Sequence, residues 1–418
     1  MKSPGISDLP PLHNDKVGWP WTEDSRQLPD LMIDGQPWPK ISIITPSYNQ
    51  GQYLEETIRS VLLQGYPNYE YIVIDGGSSD DSLSILKKYS QFITKWTSEP
   101  DKGQSDAINK GFKLAKGEIV AWINSDDLYA QEAFSLIALH FAQNPNISMI
   151  YGDCEFIDEF GEKLSLCRSR EFDIQKLVED CYIPQPSVFF KETIFESLGY
   201  LDESLHYAMD YEYWIRIGLH FNMQYIPFTI AKFRLHSESK TISKNDLFVV
   251  DIFHIYEKFI KSNSVSREQF DMILSELIWK ILRLENFTDI HLLFSNRDAT
   301  PCDEVYSRIF TLNIQNKDDN ICQQSFEKIV QGVYKCFFIN YHNSNVTDKE
   351  IDRITNDWYE SQNLKIIEFS FFLFKRDRII PAMSIFSSYI LCHPLSLLNS
   401  NFLTSLIYAI KRKMTKNI

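Results

Sequence analysis

Four short polar segments contain residue types that can bind ions or phosphate groups, or transfer protons. They are TPSYN at 45–49, DGGSSD at 75–80, EPDKG at 99–103 and NSDD at 124–127. Carboxylates can hold a metal ion or accept a proton, and hydroxyls, amides and lysine can bind phosphate oxygens. Each segment alone has an ordinary interpretation, because Asp-Gly-Gly is typical of a turn and Asp-Asp before a helix is typical of capping.

The elements around these segments alternate between strand and helix. Apolar runs at 41–45, 69–74, 92–97 and 118–123 are typical of buried strands, and helical apolar spacing follows each of them. This alternation predicts an α/β fold with a mainly parallel sheet and flanking helices. Ligands of such sheets bind beyond the carboxyl ends of the strands. The four polar segments are therefore predicted to meet at one edge of the sheet.

Composition limits the function classes. A chain of 418 residues exceeds the usual size of one hydrophobic core, so two domains are expected. The formal net charge of -14 argues against nucleic acid as a partner, although a local site could still bind a small phosphorylated ligand. The seven cysteines show no CxxC pair or zinc-like spacing. Together with the lack of a signal peptide or a long apolar run, this favours a cytoplasmic protein with reduced thiols.

The ordered set of polar segments resembles glycosyltransferase family 2. The matching stretches are 41–49, 71–80, 101–117, 122–127, 185–188, 209–214 and 233–236. Members of this family are inverting enzymes with the GT-A (Rossmann-like) fold. The resemblance implies a hexosyltransferase-type enzyme of polysaccharide biosynthesis that uses a nucleotide-diphosphate sugar, with a UDP-sugar favoured. Its acceptor would be a glycan or a lipid-linked glycan.

By this resemblance, the first two segments bind the nucleoside of the donor. Thr45 and Pro46 would form the floor of the pocket for base and ribose, and Tyr48 would offer a stacking surface. Asp75 would accept a hydrogen bond from the base, which suits uracil. The structural alternatives are a core aromatic for Tyr48 and a turn or capping acid for Asp75.

The resemblance places the third segment beside the diphosphate and the donor sugar. Asp101 begins this region, and Lys102 would contact a phosphate or, in the alternative, only solvent. Asp106 and Asn109 follow at i and i+3 on one side of a helix, and both would face the donor.

The fourth segment resembles the DXD-type metal motif of the family, with Asn124 in place of the usual first Asp. Asp126 is the expected ligand of a divalent cation, Mn²⁺ or Mg²⁺, which would bridge the donor phosphates. Asn124 and Ser125 are assigned to the nucleotide-sugar, and Asn124 removes one negative charge from the motif. His236 matches a position where some members place a further metal ligand, although a lone histidine is often structural.

Asp210 lies where the family has its catalytic acid, at the start of a predicted helix. It is the expected general base that takes the proton of the acceptor hydroxyl. The alternative for Asp210 is an ordinary helix cap. Glu212, two residues further on, is the rival base.

Changes in composition and in the apolar pattern along the sequence predict three regions. Residues 1–39 form an irregular, proline-rich arm on the domain surface, 40–243 form the GT-A catalytic domain, and 244–418 form a helical C-terminal region. The last region is strongly apolar from 366 and ends with Lys411, Arg412, Lys413 and Lys416. This end would either pack on protein or contact the cytoplasmic membrane face as a peripheral anchor.

Two other function classes are alternatives to a glycosyltransferase. A non-catalytic nucleotide-sugar-binding or scaffolding protein could keep the same fold, but loss of Asp126 or Asp210 would favour it, and both are present. A nucleotidyltransferase would require basic residues in the loop after the first strand. Residues 45–51 contain none, which argues against that class.

Overall fold

The structure is a computed structural model and describes residues 3–11, 16–239, 251–252 and 255. The chain divides into two compact units, Met1–Asp251 and Ile252–Ile418. Most of the expected helical region, 244–418, and its basic end lie outside the described residues. The three-region organisation therefore stays a prediction.

Nine strands and seven helices make up the regular structure of the described part of the chain. The strands are β1 Ile41–Ser47, β2 Tyr69–Asp75, β3 Lys95–Ser98, β4 Ile119–Trp122, β5 Leu128–Tyr129, β6 Met149–Ile157, β7 Lys163–Cys167, β8 Val188–Lys191 and β9 Met223–Arg234. The helices are α1 Gly51–Leu62, α2 Ser82–Tyr89, α3 Gln104–Leu114, α4 Ala133–Gln143, α5 Ile174–Glu179, α6 Ile194–Leu198 and α7 Met209–His220. Short 3-10 turns lie at Ile6–Asp8 and Gln185–Ser187. In this part of the chain, no helix combines the length and apolarity that crossing a membrane needs.

One mixed sheet contains all of these strands. Its order is β3-β2-β1-β4-β8-β6-β9-β5, and β7 pairs with β6 beside this path. The first four strands are parallel, as the alternation of strand and helix predicts. In the second half, β8 runs antiparallel to β4 and β6, while β9 runs parallel to β6. Parallel pairing needs a long crossover, and the turn between β6 and β7 is too short for one, so this part of the sheet is mixed.

The strand order reverses between β1 and β4. The chain proceeds outward from β1 to β2 and β3, and α3 then returns it to the other side of β1, where β4 lies. Such a reversal leaves a crevice beyond the carboxyl ends of the two strands at the switch point. Helix α3 crosses β1 closely, since a Cβ on Gly111 would lie 2.4 Å from Cγ2 of Ile44.

Several buried side chains anchor the N-terminal arm to the domain. Trp21 and Trp38 are buried, and Trp38 joins the main hydrophobic core. The buried guanidinium of Arg59 donates to the carbonyls of Pro20 and Trp21 at 3.0 and 3.1 Å. A buried charge requires such hydrogen bonds. The arm therefore completes the environment of a charged residue on α1.

Candidate active site

The loops after β1 and β2 are joined directly to each other. The backbone N–H of Asn49 donates to Oγ of Ser78 at 2.8 Å, and Oδ1 of Asn49 accepts from the N–H of Ser79 at 2.8 Å. On the other side, Nε2 of Gln104 donates to Oδ1 of Asn124 at 2.7 Å. The prediction that the polar segments share one edge of the sheet is thus confirmed.

The expected nucleoside pocket has a rigid floor and an exposed aromatic ring. Thr45 and Pro46 lie in β1, and Oγ1 of the buried Thr45 accepts from the Tyr71 hydroxyl at 3.1 Å. Tyr48 is 62% exposed, so the alternative of a core aromatic is wrong. Its ring is accessible for stacking at the mouth of the crevice.

Asp75 is a buried acceptor at the end of β2. Its Oδ2 accepts from the N–H groups of Gly77 and Ser78 and from the Ser98 hydroxyl, at 3.2, 2.9 and 2.7 Å. Its Oδ1 accepts from the Ser78 hydroxyl at 2.5 Å. Asp75 therefore holds the Gly-Gly turn, as the structural alternative predicts, and its contact with a base stays a prediction.

The segment after β3 is fixed by its own carboxylates. Oδ1 of Asp101 accepts from the N–H of Gly103 at 2.8 Å. Asp106 accepts from the backbone N–H of Lys102 at 3.0 Å and pairs with Nζ of Lys110 at 3.2 Å. These contacts lower the pKa of Asp106. Lys102 itself is exposed, which suits either contact with a phosphate or solvation.

Asn109 reaches from α3 to the loop before α7. Its Nδ2 donates to the carbonyl of Leu201 at 2.9 Å and to Oε1 of Glu203 at 3.1 Å, and its Oδ1 accepts from the N–H of Leu201 at 3.0 Å. These bonds give Asn109 a structural role. Its predicted contact with the donor stays a prediction.

Asp126 and His236 come together after β4 and β9. Oδ2 of Asp126 lies 3.0 Å from Nε2 of His236, and the Tyr53 ring packs against the imidazole at 4.9 Å between centroids. The Asp126 side chain is 18% exposed, whereas that of His236 is 3% exposed. The pair therefore has one buried member and one that faces the crevice.

This pair offers an incomplete set of metal donors. Among the described residues, no three His, Cys, Asp or Glu side chains are grouped so that they could hold an ion. A Mg²⁺-like ion is typically bound by one or two carboxylates, with substrate phosphates and water completing its shell. The pair fits an ion whose remaining ligands come from a donor diphosphate.

Asn124 is both donor and acceptor within the motif. Its Nδ2 donates to Oδ2 of Asp127 at 3.2 Å and to Oε1 of Gln185 at 3.1 Å, in addition to the bond that Oδ1 accepts from Gln104. The neighbouring Ser125 uses its backbone carbonyl to accept from the Thr57 hydroxyl at 2.9 Å. An ionised aspartate at 124 could donate neither of these bonds, so the surroundings of this side chain favour the amide.

Two buried residues, Asp127 and Arg234, hold the Asp126 motif in place by hydrogen bonds. Asp127 is buried, and burial followed by the charge of Asp126 raises the pKa of its carboxyl well above the ordinary value. Its Oδ1 accepts from the backbone N–H of Arg234 at 2.9 Å. The Arg234 guanidinium donates to the carbonyls of Asp126 and Asp158 and to Oε2 of Glu56, at 2.9, 3.0 and 3.1 Å. No role was predicted for Arg234, although it lies in the matching stretch 233–236.

The two candidate bases on α7 have different surroundings. Asp210 is half-buried in the first turn, and its Oδ1 accepts from the N–H of Tyr211 at 2.8 Å. Glu212 is buried and pairs with Nη2 of Arg216 at 2.6 Å. The pairing of Glu212 favours a structural role for that residue.

Helix α7 is held against β4 by two tryptophans. The rings of Trp122 and Trp214 are stacked, with their centroids 5.2 Å apart. Residues four apart lie on one face of a helix, so Asp210 lies on the face of α7 that Trp214 turns toward β4. Asp210 therefore lies one helical turn before the ring that contacts β4.

Sequence similarity to known proteins shows which family this chain belongs to. The family model described as Glycosyl transferase family 2 matches residues 42–194. The Escherichia coli UDP-Glc:alpha-D-GlcNAc-diphosphoundecaprenol beta-1,3-glucosyltransferase WfgD is 30% identical over 207 residues, which cover 49% of this chain and 80% of that relative. The chain belongs to glycosyl transferase family 2. An uncharacterised glycosyltransferase from Rickettsia typhi is 30% identical over 217 residues, which cover 49% of this chain and 66% of that relative. The chain thus spans just under two thirds of that relative, and 36% of one from Rickettsia felis.

A solved structure supports the fold of this family 2 chain. The crystal structure of S. aureus TarS 1-349 in complex with UDP matches with a TM-score of 0.50 and 17% identity. The match covers 77% of this chain and 91% of that chain. The expected α/β architecture of the GT-A kind is confirmed.

Proposed function

We propose that this protein is an inverting glycosyltransferase that moves a sugar from a UDP-sugar to a hydroxyl of a glycan or lipid-linked glycan. The observation that carries the proposal is the contact between Asp126 and His236, 3.0 Å apart at the switch point of the sheet. A carboxylate and an imidazole at this edge suit a metal-bound diphosphate. The family 2 membership supports the reaction class.

The choice of donor and acceptor rests on one relative. The printed name of the E. coli enzyme gives UDP-glucose as its donor and a diphosphoundecaprenol-linked sugar as its acceptor. In this chain, the exposed ring of Tyr48 and the buried carboxylate of Asp75 would bind the uracil and its ribose. These features support a UDP-sugar and a lipid-linked acceptor for this protein as well.

Asp126 and His236 would hold a divalent cation, Mn²⁺ or Mg²⁺, which would neutralise negative charge on the donor diphosphate. Asp101, Lys102 and Asp106 would line the side of the donor sugar, and Asn124 and Ser125 would complete the wall of the pocket. Asp101, Lys102, Asn124, Ser125 and Asp126 lie in loops that follow strands of the parallel half of the sheet, whereas Asp106 lies in the first turn of α3 and His236 follows β9.

Asp210 would act on the acceptor side. The acceptor oxygen forms a bond to the anomeric carbon while the bond from that carbon to the diphosphate oxygen breaks. The electron pair of the broken bond leaves with the nucleotide, and the acceptor proton passes to the Asp210 carboxylate. One displacement from the face opposite the leaving group inverts the anomeric centre. Glu212 is less suited to this role because Arg216 already holds its carboxylate.

The test compares Asp210→Asn with Glu212→Gln. Sugar transfer is measured from a panel of UDP-sugars, beginning with UDP-glucose, to a synthetic N-acetylglucosaminyl diphospholipid, and UDP affinity is measured beside it. Loss of a general base typically slows turnover by ~10²–10⁴-fold, which is the result expected for Asp210→Asn with UDP affinity retained.

Two outcomes would contradict this proposal. Near-normal turnover of Asp210→Asn with collapse of Glu212→Gln would reverse the assignment of the base. Binding of UDP-sugars without transfer or hydrolysis by the native chain would favour the non-catalytic alternative. For the basic end, packing on protein and membrane contact stand as alternatives, and equal sedimentation with anionic vesicles of the chain with and without residues 411–418 would leave packing.

A further inference from the structure

The loop before α7 is held on one side by α3. Oγ of Ser105 donates to the carbonyl of Leu205 at 3.1 Å. Further along the same helix, the amide of Asn109 donates to the carbonyl of Leu201 and accepts from the N–H of Leu201. Residues 201–208 form no regular element, yet Leu201 at the start of the loop and Leu205 in its middle are bonded to the helix that follows the expected donor segment.

On its other side the loop meets a carboxylate from far along the chain. Oδ2 of Asp251 accepts from three consecutive backbone N–H groups, those of His206 at 2.9 Å, Tyr207 at 2.6 Å and Ala208 at 3.0 Å. Asp251 is only 5% exposed. Burial of a carboxylate is costly unless it accepts hydrogen bonds, and those made to a charged acceptor are the stronger kind.

The three N–H groups lead directly into α7. Ala208 is the residue before the helix, and its own side chain makes no capping hydrogen bond. The first N–H groups of a helix lack partners inside it, and a negative charge near them is favourable. Asp251, 43 residues from Ala208, supplies that charge from outside the matched family segment.

We propose that Asp251 is a positioning residue for Asp210. Asp210 follows Ala208 by two residues, so the backbone that Asp251 fixes determines where the Asp210 carboxylate lies. This proposal rests on the proposed function, because it takes Asp210 as the general base. Asp251 touches neither donor nor acceptor and acts through the loop.

Asp251→Asn is the first variant to test in the full chain, since it removes the charge and keeps the size. A small misplacement of a catalytic group can cost up to ~10²-fold in rate, so we expect kcat to fall by about 10- to 100-fold. UDP affinity should stay within about twofold, because the three bonds of Asp251 are to residues 206–208, which directly precede α7. The matched control is Asp173→Asn, whose carboxylate also accepts two backbone N–H groups at the start of a helix, α5. It should keep its native kcat.

The double variant Asp210→Asn/Asp251→Asn separates positioning from general support of the fold. If Asp251 acts only through Asp210, the double variant is no slower than Asp210→Asn alone. The pH profile gives a second readout, because the acidic limb due to the base should persist in Asp251→Asn and disappear in Asp210→Asn.

The proposal is overturned by native kcat in Asp251→Asn, or by a double variant in which the two losses multiply. It is also overturned if Asp251→Asn loses UDP binding, because Asp251 would then support the whole domain. Near-normal turnover of Asp210→Asn would instead defeat the proposed base itself. A slow Asp210→Asn beside a normal Asp251→Asn defeats only the positioning role.

Discussion

Asp126 and His236 lie 110 positions apart in the sequence, and their side chains meet with Oδ2 and Nε2 separated by 3.0 Å. The contact joins the loop after β4 to the segment after β9. It creates a paired oxygen and nitrogen donor at the crevice, with Tyr53 against the imidazole. A metal-dependent donor site would be built around these two side chains.

Asp126→Ala should abolish transfer and weaken UDP binding in Mn²⁺ by at least about tenfold, because phosphate charge would lose its counter-ion. His236→Ala should weaken Mn²⁺-dependent UDP binding in the same direction. Calorimetric titration of UDP with and without EDTA measures both effects. Asp180→Ala, which removes an exposed carboxylate paired with Arg170, is the control and should bind as the native chain does. Full activity of the native chain in excess chelator would exclude the metal-dependent reaction.

Asn124→Asp restores the usual acid of the family motif but should destabilise this protein. The new carboxylate would face Oδ2 of Asp127 and Oε1 of Gln185, where the amide now donates. Unpaired buried acceptors cost about 1–3 kcal/mol, which should lower the melting temperature. The loss should grow as the pH rises, because burial already raises the pKa of Asp127 and a second negative charge beside it raises that pKa further. An unchanged melting temperature with tighter Mn²⁺ binding would contradict this explanation of Asn124.

Arg234→Met should be among the most damaging single changes outside the reacting groups. It leaves the buried carboxylate of Glu56 without the guanidinium that lies 3.1 Å away, and breaking a buried pair typically costs about 3–5 kcal/mol. Adding Glu56→Gln should recover part of the loss, which urea denaturation of both single variants and the double variant would measure. Strictly additive losses would show that the pair is not coupled.

Glu70 should make the fold sensitive to acid. Burial alone would raise its pKa, but bonds from Lys40, Ser42 and the Lys116 backbone outweigh burial and lower the pKa. A folded-state pKa below the unfolded value means that the stabilisation is present above the unfolded pKa and is lost as pH falls through the folded pKa. Glu70→Gln should therefore lower the free energy of unfolding at pH 7 by about 1–3 kcal/mol, and by less near pH 3. An equal loss at both pH values would contradict the ionic role.

The parallel half of the sheet was predictable because its signals are local. Apolar runs mark β1, β2 and β4, and the polar residues at their ends follow from the rule for parallel sheets. The exposed strand β7 and the two-residue strand β5 were missed, since neither has an apolar pattern of sufficient length.

The contacts of the site that could not be predicted from the sequence join residues that are far apart in the chain. The spacing of Asp106 and Asn109 predicts a shared helix face, but the partner of Asn109 is Leu201, 92 positions away. Arg234 and Asp251 likewise act on loops far from them in sequence. No local pattern marks an arginine or an aspartate whose function depends on distant backbone groups.

Strand β9 lies between β6 and β5 in the sheet, although it follows both of them in the chain. A fragment cut at residue 194, where the family match stops, would lack β9 and leave β5 without its only partner strand in the described sheet. The edge of β6 that pairs with β9 would be open over nine register positions, Met149 to Ile157. An open edge of this length attracts other chains, so the truncated fragment should aggregate. The smallest autonomously folding fragment of this protein therefore extends past the family match at least to Arg234.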